Sequence, residues 1–223
     1  MTPNEAMAQL KKAGSAATRK TYARHGVKSE AFGVSYAVLG KLTKTIKVDQ
    51  GLAEALWATG NHDARILATM IADPAKIGRK QLDGWAAAAD NYILADAIAR
   101  TVAKAPHARE TAEAWTKSTG EHIGQCGWTV LGVLAGAGEA LSETDCIALL
   151  ARIEKTIHAA KNRVRHAMNG ALISIGGRSA KLRTAAIAAL KRIGPVEVDH
   201  GNTACATPDA LGYIAKIWAR KKG

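Results

Sequence analysis

The sequence is poor in the residue types that most other fold classes require. Only 4% of its residues are aromatic, and although 48% are hydrophobic, alanine supplies much of that share. Alanine is the best helix former and a poor strand residue, so this composition favours close-packed helices over a β-sandwich. A single strand-like run, Val196 to Asp199, is too short to begin a sheet. We therefore expect an all-α protein.

The sequence also gives no signal for disulfide bonds or for a membrane-spanning helix. The three cysteines, Cys126, Cys146 and Cys205, are odd in number and far apart, which indicates reduced thiols rather than a disulfide framework. No run approaches the roughly 20 apolar residues of a membrane helix. The first residues lack the apolar core of an export signal. We expect a cytoplasmic protein that does not bind membranes.

The positive charge is concentrated at the two ends of the chain. Residues 1–48 carry a net charge of +7 and residues 151–223 carry +10, whereas residues 49–150 carry −5. Basic ends around an acidic middle suit a body that holds a polyanion at its flanks. A solvated, lysine-rich surface would have the same composition. Of the two, we predict nucleic acid binding.

Ordinary stop signals divide the chain into about twelve short helices joined by brief turns. This organisation is typical of stacked helical pairs, and no linker interrupts it. We predict a single helical-repeat domain over residues 1–223. The predicted helices span residues 3–20, 35–47, 49–58, 62–72, 79–89, 91–104, 106–119, 121–135, 142–158, 161–175, 180–193 and 208–221.

Residues 55–74 carry the strongest local signal, a pair of helices folded back on each other by one turn. Gly60 is placed to end the first helix in a left-handed cap, and Asn61 is placed to cap the second. His62 and Asp63 follow at the start of the second helix. We expect these two side chains to fix the turn rather than to contact a substrate.

A second pattern lies on the helix predicted at residues 161–175, where polar residues repeat at helical spacing opposite an apolar stripe. Basic and amide side chains at helix ends are good phosphate ligands. The alternative is that this polar stripe simply faces water. The residues that we predict to bind the DNA backbone are Lys161, Arg165, Asn169, Arg178, Lys181 and Arg183.

Six segments follow one another in a set order over nearly the whole chain: Gly33-Val34-Ser35, Leu39 to Leu42, residues 55–74, Asp90 to Asp96, Lys161 to Gly176 and Val198 to Asp209. In this order they resemble the AlkD-like DNA alkylation repair proteins, which are built from HEAT-like helical repeats. The resemblance implies an α-α superhelix of stacked HEAT-like pairs whose concave surface binds double-stranded DNA. It also implies excision of N3- or N7-alkylated purines by hydrolysis of the N-glycosidic bond. A solenoid that surrounds DNA needs no second copy, so we expect a monomer.

The resemblance also places the family's cleft residues, one position at a time. Asp96 retains the acid, which would stabilise the sugar cation and place a water molecule. Tyr92 replaces a tryptophan and lies on the same helix face as Asp96. Gln125 stands at the arginine position and Gly170 at the second tryptophan, and Trp128 could partly replace the missing ring. The resemblance therefore implies that Asp96 and Tyr92 are catalytic and that Gln125 and Trp128 contact DNA.

Two interpretations of the function remain open. In the first, the protein is a DNA glycosylase for cationic alkylpurines, and Tyr92 covers the lesion. In the second, it is a non-catalytic protein that binds damaged or branched DNA, because Gln125 and Gly170 lack the charge and the ring of the family's cleft. A protein-binding scaffold would instead need a large exposed apolar groove.

Some of these residues also have ordinary structural explanations. Asp96 has Arg100 four residues further on, an ion pair that needs no function. Tyr92 could contact Trp85. Three potential metal ligands, Asp199, His200 and Cys205, lack a fourth partner and a recognised zinc spacing, so we predict no metal site and no cofactor.

Overall fold

The computed structural model describes residues 1–138 and 140–221, and these residues form an all-α fold without a β-strand. The expected fold class is therefore confirmed. Among the described helices, none is long and apolar enough to cross a membrane. A short 3₁₀ helix spans Ile157–Ala159. The α-helices are α1 Pro3–Ala13, α2 Ala16–Arg24, α3 Tyr36–Ile46, α4 Gln50–Ala58, α5 His62–Ile71, α6 Arg79–Ala87, α7 Tyr92–Val102, α8 Ala108–Trp115, α9 Glu121–Ala137, α10 Glu143–Thr156, α11 Asn162–Arg178, α12 Ala180–Ile193 and α13 Ala210–Arg220.

The first predicted helix, residues 3–20, is wrong, because two helices occupy this region. The chain turns at Gly14, where an added Cβ would lie 2.3 Å from the carbonyl oxygen of Phe32. The next residue, Ser15, caps α2 by accepting a hydrogen bond from the backbone N–H of Thr18. A glycine followed by a good N-cap residue is a stop-and-start signal that the helical periodicity concealed.

The described chain divides into two compact units. The first contains Met1–Pro106 with Gly201–Thr203, and the second contains His107–His200 with the chain from Ala204 onward. The prediction of one undivided domain over residues 1–223 stays a prediction.

In the first unit, α4 and α5 form the predicted helical pair. Gly60 has a φ of 74°, in the left-handed region that glycine adopts without strain. The side chain of Asn61 accepts hydrogen bonds from the backbone N–H groups of Asp63 and Ala64, which caps α5. Both roles predicted for this turn are confirmed.

In the second unit, α9 and α11 run parallel and lie very close together. An added Cβ on Gly124 would lie 3.0 Å from a methyl group of Val164, and one on Gly132 would lie 3.0 Å from the Cα of Ala171. On another side of α9, a Cβ on Gly127 would lie 2.7 Å from the backbone nitrogen of Thr116, next to α8. Glycines thus allow the backbones of three helices to approach, and most of α9 is buried.

Candidate nucleic-acid interface

One face of α7 carries the two residues that resemble the family's catalytic pair. Asn91 caps this helix by accepting a hydrogen bond from the N–H of Leu94. Tyr92, Asp96 and Arg100 follow at four-residue intervals and therefore lie along one face. Tyr92 and Asp96 are half-buried, and Arg100 is exposed. The shared face of Tyr92 and Asp96 is confirmed, and their catalytic roles stay predictions.

The hydroxyl of Tyr92 forms a short hydrogen bond with Nδ1 of His25, the residue that follows α2. The two rings meet edge to face with their centroids 5.8 Å apart. Trp85 instead stacks on Trp57, with a centroid distance of 4.3 Å. The ring of Tyr92 is thus held within the first unit by a contact that the sequence analysis missed.

Tyr36, at the start of α3, lies near Asp96 and Arg100 on the described face of α7, and the sequence analysis missed it. Burial raises the pKa of Tyr36 to about 12, and the nearby carboxylates of Asp96 and Asp63 also raise it, whereas Arg100 opposes them. Nevertheless, 42% of Tyr36 remains exposed. The one available signal was its position directly after the family-like Gly33-Val34-Ser35 segment.

A pocket of about 360 Å³ opens beside these residues, above α5 and between α3 and α7; we call it the α5 pocket. Its lining comes from segments that are far apart in the sequence, so no single motif reveals it. The lining residues are Tyr36, Thr43, Val48, Ile66, Thr69, Met70, Ala72, Pro74, Ala97, Arg100, Thr101 and Lys104.

Three residues that were predicted to contact DNA are buried in the second unit. Gln125 and Asn169 are each 1% exposed, and Trp128 is fully buried. The amide of Asn169 donates to the carbonyl oxygen of Pro208 at 2.9 Å, and the guanidinium of Arg152 covers the ring of Trp128. Direct DNA contact by these three residues is at odds with their burial, because a phosphate or base reaches only an exposed side chain.

Two arginines predicted to bind phosphates hold backbone carbonyl groups. Arg178 donates to the carbonyl oxygens of Leu141 and Gly138, so it satisfies acceptors left unpaired beyond the end of α9. Arg165 donates to the carbonyl oxygens of Glu197, His158 and Ala160. Both arginines therefore stabilise neighbouring loops through backbone hydrogen bonds. Their contacts with DNA stay predictions.

The three remaining predicted cations also have intramolecular partners. Lys161 donates to the carbonyl oxygen of Thr119 at 2.7 Å. Lys181 lies 3.6 Å from a carboxylate oxygen of Glu143. The guanidinium of Arg183 lies over the ring of Trp218, 5.2 Å from its centroid. Their roles in DNA binding likewise stay predictions.

Gly170 leaves open space where the family has its second tryptophan. It lies on an exposed part of α11, and an added Cβ there would meet no other atom within 4 Å. Gln125 lies on α9 of the same unit and forms a 3.1 Å hydrogen bond with His122. The second unit therefore lacks both the charge and the ring at these positions.

His62 and Asp63 are structural residues, but the side chain of Asp63 does not fix the turn as predicted. Both are fully buried, and the carboxylate of Asp63 accepts hydrogen bonds from the N–H groups of Phe32, Gly33 and Val34 at 2.6, 3.0 and 2.8 Å. This carboxylate ties the segment before α3 to the first turn of α5.

The potential metal ligands of the C-terminal loop have other partners. Nε2 of His200 lies 3.1 Å from the hydroxyl of Thr207, and its ring meets His166 edge to face. Burial, together with the charges of His200 and Arg163, lowers the pKa of His166. Across the described part of the chain, no group of three histidine, cysteine or acidic side chains is arranged to hold a metal ion.

Comparisons with known proteins agree with the fold. A family model described as DNA alkylation repair enzyme matches residues 6–214. The uncharacterized proteins Lmo0209 of Listeria monocytogenes serovar 1/2a and Lin0241 of Listeria innocua serovar 6a are both 30% identical to this chain. The matches cover 92% of both chains for the first and 89% for the second.

This chain is also similar to a solved structure. Its description is that of a new family of proteins related to the HEAT-like repeat DNA glycosylases with affinity for branched DNA structures. It superposes with a TM-score of 0.90 at 32% identity, over 99% of this chain and 95% of its own. The chain therefore belongs to the DNA alkylation repair family and has the fold of the HEAT-like repeat DNA glycosylases.

Proposed function

We propose that this protein binds branched DNA and does not excise alkylated bases by the route of the family's glycosylases. The observation that carries the proposal is the chemistry at two cleft positions. Gln125 replaces an arginine, is 1% exposed and has no charge for a phosphate. Gly170 replaces a tryptophan and leaves open space. This chain thus lacks the charge and the ring at two of the four positions that the resemblance identifies.

This chain is similar to a solved structure from a protein family that is described as having affinity for branched DNA, and this similarity supports the binding part of the proposal. So does the charge of the chain, because the excess of 12 positive charges favours a polyanionic partner. Contacts with phosphates carry no sequence information, so a protein that relies on them recognises shape. The phosphates of branched DNA are arranged differently from those of a linear duplex, so a protein of this kind can distinguish the two.

Base excision is the second candidate, and Asp96 is the observation that favours it. An alkylated purine is already a cationic leaving group, so the site needs one carboxylate to stabilise the sugar cation and position water. Asp96 is half-buried on α7 and shares a helix face with Tyr92. Asp96 is the one position of the glycosylase pattern that this chain retains, and Tyr92 is a conservative replacement of a second.

A paired measurement distinguishes the two candidates. Single-turnover release of 7-methylguanine from duplex DNA is measured for the wild type and for Asp96→Asn, and both proteins are titrated with a four-way junction and with a matched linear duplex. We expect no release by either protein, tighter binding of the junction than of the duplex, and equal junction affinity for the two proteins.

Release by the wild type that is lost in Asp96→Asn would establish the glycosylase instead. Equal affinity for junction and duplex would refute the preference for branched DNA. Circular dichroism on the same samples verifies that both proteins are folded.

A further inference from the structure

The α5 pocket has an apolar floor and an apolar mouth. Ile66 and Met70 of α5 form part of the floor, and Ala97 of α7 forms part of one wall. At the mouth, Val48 is 63% exposed and Tyr36 is 42% exposed, so two large apolar side chains face the opening. Single exposed apolar residues are ordinary, but two at the mouth of one pocket indicate a ligand with an apolar surface.

The three threonine hydroxyls that line the pocket already donate hydrogen bonds within the protein. The hydroxyl of Thr43 donates to the carbonyl oxygen of Leu39 at 2.9 Å, and that of Thr101 donates to the carbonyl oxygen of Thr69 at 2.7 Å. Thr69 donates to the carbonyl oxygen of Ile66. These hydroxyl protons are therefore not offered to a ligand. The pocket can therefore contact the face of a flat ring without donating a threonine proton to the polar edge of that ring.

The two charged side chains that line the α5 pocket are both positive. Arg100 and Lys104 lie four residues apart at the C-terminal end of α7, and both are exposed. None of the described residues that line the pocket is acidic. Arg100 continues the helix face of Tyr92 and Asp96, so the pocket adjoins two of the family's cleft positions. A ligand that fits the pocket would place a flat ring against the apolar lining and a negatively charged group beside Arg100 and Lys104.

We infer that the α5 pocket receives one unpaired nucleobase of branched DNA, while Arg100 and Lys104 bind the phosphates beside it. This inference rests on the proposed function. A base in a continuous duplex is stacked and paired, whereas a base at a branch point is already partly released and costs less to move. Because the threonine protons are already engaged, the pocket discriminates weakly among the four bases, as stacking sites for single strands do.

The test compares two three-way junctions that differ at a single position. One carries an unpaired adenine at the branch point, and the other carries an abasic site there, so the phosphates are identical. We expect the wild type to bind the first about tenfold more tightly, the effect typical of one stacked base. Replacing the unpaired adenine with thymine should preserve most of this preference.

Two variants locate the effect in the pocket. Ala97→Leu fills the space beside α5, and Tyr36→Ala removes the ring at the mouth. Each should reduce the preference for the unpaired base at least threefold and leave the affinity for the abasic junction unchanged. Arg100→Gln should weaken binding of both junctions equally. Lys80→Gln, a matched change of an exposed cation on α6 outside the pocket, should weaken neither.

The outcomes separate this inference from the proposed function. If the wild type binds both junctions tightly and equally, or if Ala97→Leu and Tyr36→Ala keep the full preference, the inference is overturned and binding of branched DNA stands. If the wild type prefers no junction over linear duplex, the proposed function fails and the inference fails with it. Tyr36→Ala changes a partly exposed side chain, so it provides the answer even if Ala97→Leu unfolds the protein.

Discussion

At the scale of the residue, two acidic side chains in the family-like segments bind backbone N–H groups. Asp63 accepts three backbone hydrogen bonds from the segment before α3. Asp90 accepts another from the N–H of Ser29 in the same segment, and its pKa is lowered by hydrogen bonds from Asn91 and Ser29, which outweigh the opposing effect of burial. A sequence motif shared with a family of enzymes thus reflects folding requirements as well as chemistry.

The three hydrogen bonds that Asp63 accepts lead to a test of stability. Asp63→Asn keeps one carbonyl oxygen but turns an NH₂ group toward backbone donors, so at least one buried N–H loses its acceptor. We expect the free energy of unfolding to fall by about 3 kcal/mol, measured by urea denaturation.

Asp83→Asn is the matched control, because the carboxylate of Asp83 is 46% exposed and pairs with Arg79 at the surface. Such surface pairs contribute about 0–1 kcal/mol. Equal losses of stability in the two variants would contradict the structural role of Asp63.

At the scale of the element, the helices were largely predictable because their caps are local. Ser142 and Asp145 form a reciprocal capping box at α10, and Asp209 caps α13, as short-range sequence patterns can indicate. The break between α1 and α2 has a local signal too, Gly14 followed by the N-cap residue Ser15, but helical periodicity across it concealed the break. The close approach of Gly14 to Phe32 is a further cause, and the sequence does not show it.

Packing between helices is likewise hidden from the sequence, as two glycines demonstrate. Gly127 and Gly170 both interrupt helical patterns, yet a Cβ on the first would lie 2.7 Å from the backbone of Thr116 and a Cβ on the second would touch nothing. We expect Gly127→Ala to destabilise the protein by about 1–3 kcal/mol, because α8 and α9 must separate.

Gly170→Ala is the control on a neighbouring helix, and here we expect a gain of about 0.5–1 kcal/mol, because alanine is the better helix former. Thermal and urea unfolding of both variants provide the measurement. A gain of stability in Gly127→Ala would show that α8 and α9 are not held at the distance that the glycine permits.

At the scale of the whole molecule, helical periodicity predicted which residues share a helix face. It did not predict which part of the protein or solvent that face contacts. It placed Tyr92 with Asp96 correctly. It also grouped Arg165 with Asn169, whose side chains turned out to hold the carbonyl groups of C-terminal loops. The α5 pocket was invisible in the sequence because its lining comes from three helices and the segments between them.

The excess of 12 positive charges, in contrast, is a property of the whole chain, and its consequence is measurable without assigning a single contact. Binding of a polyanion releases counterions, so the logarithm of the association constant falls linearly with the logarithm of salt concentration. If roughly five phosphates are contacted, the slope for a four-way junction should be about −4 to −5. Arg100→Gln should make the slope shallower by about one unit and Lys80→Gln should not, because only Arg100 lies at the α5 pocket. A slope near zero for the wild type would mean that its positive charge serves solubility alone, and a protein partner would then replace DNA as the preferred hypothesis.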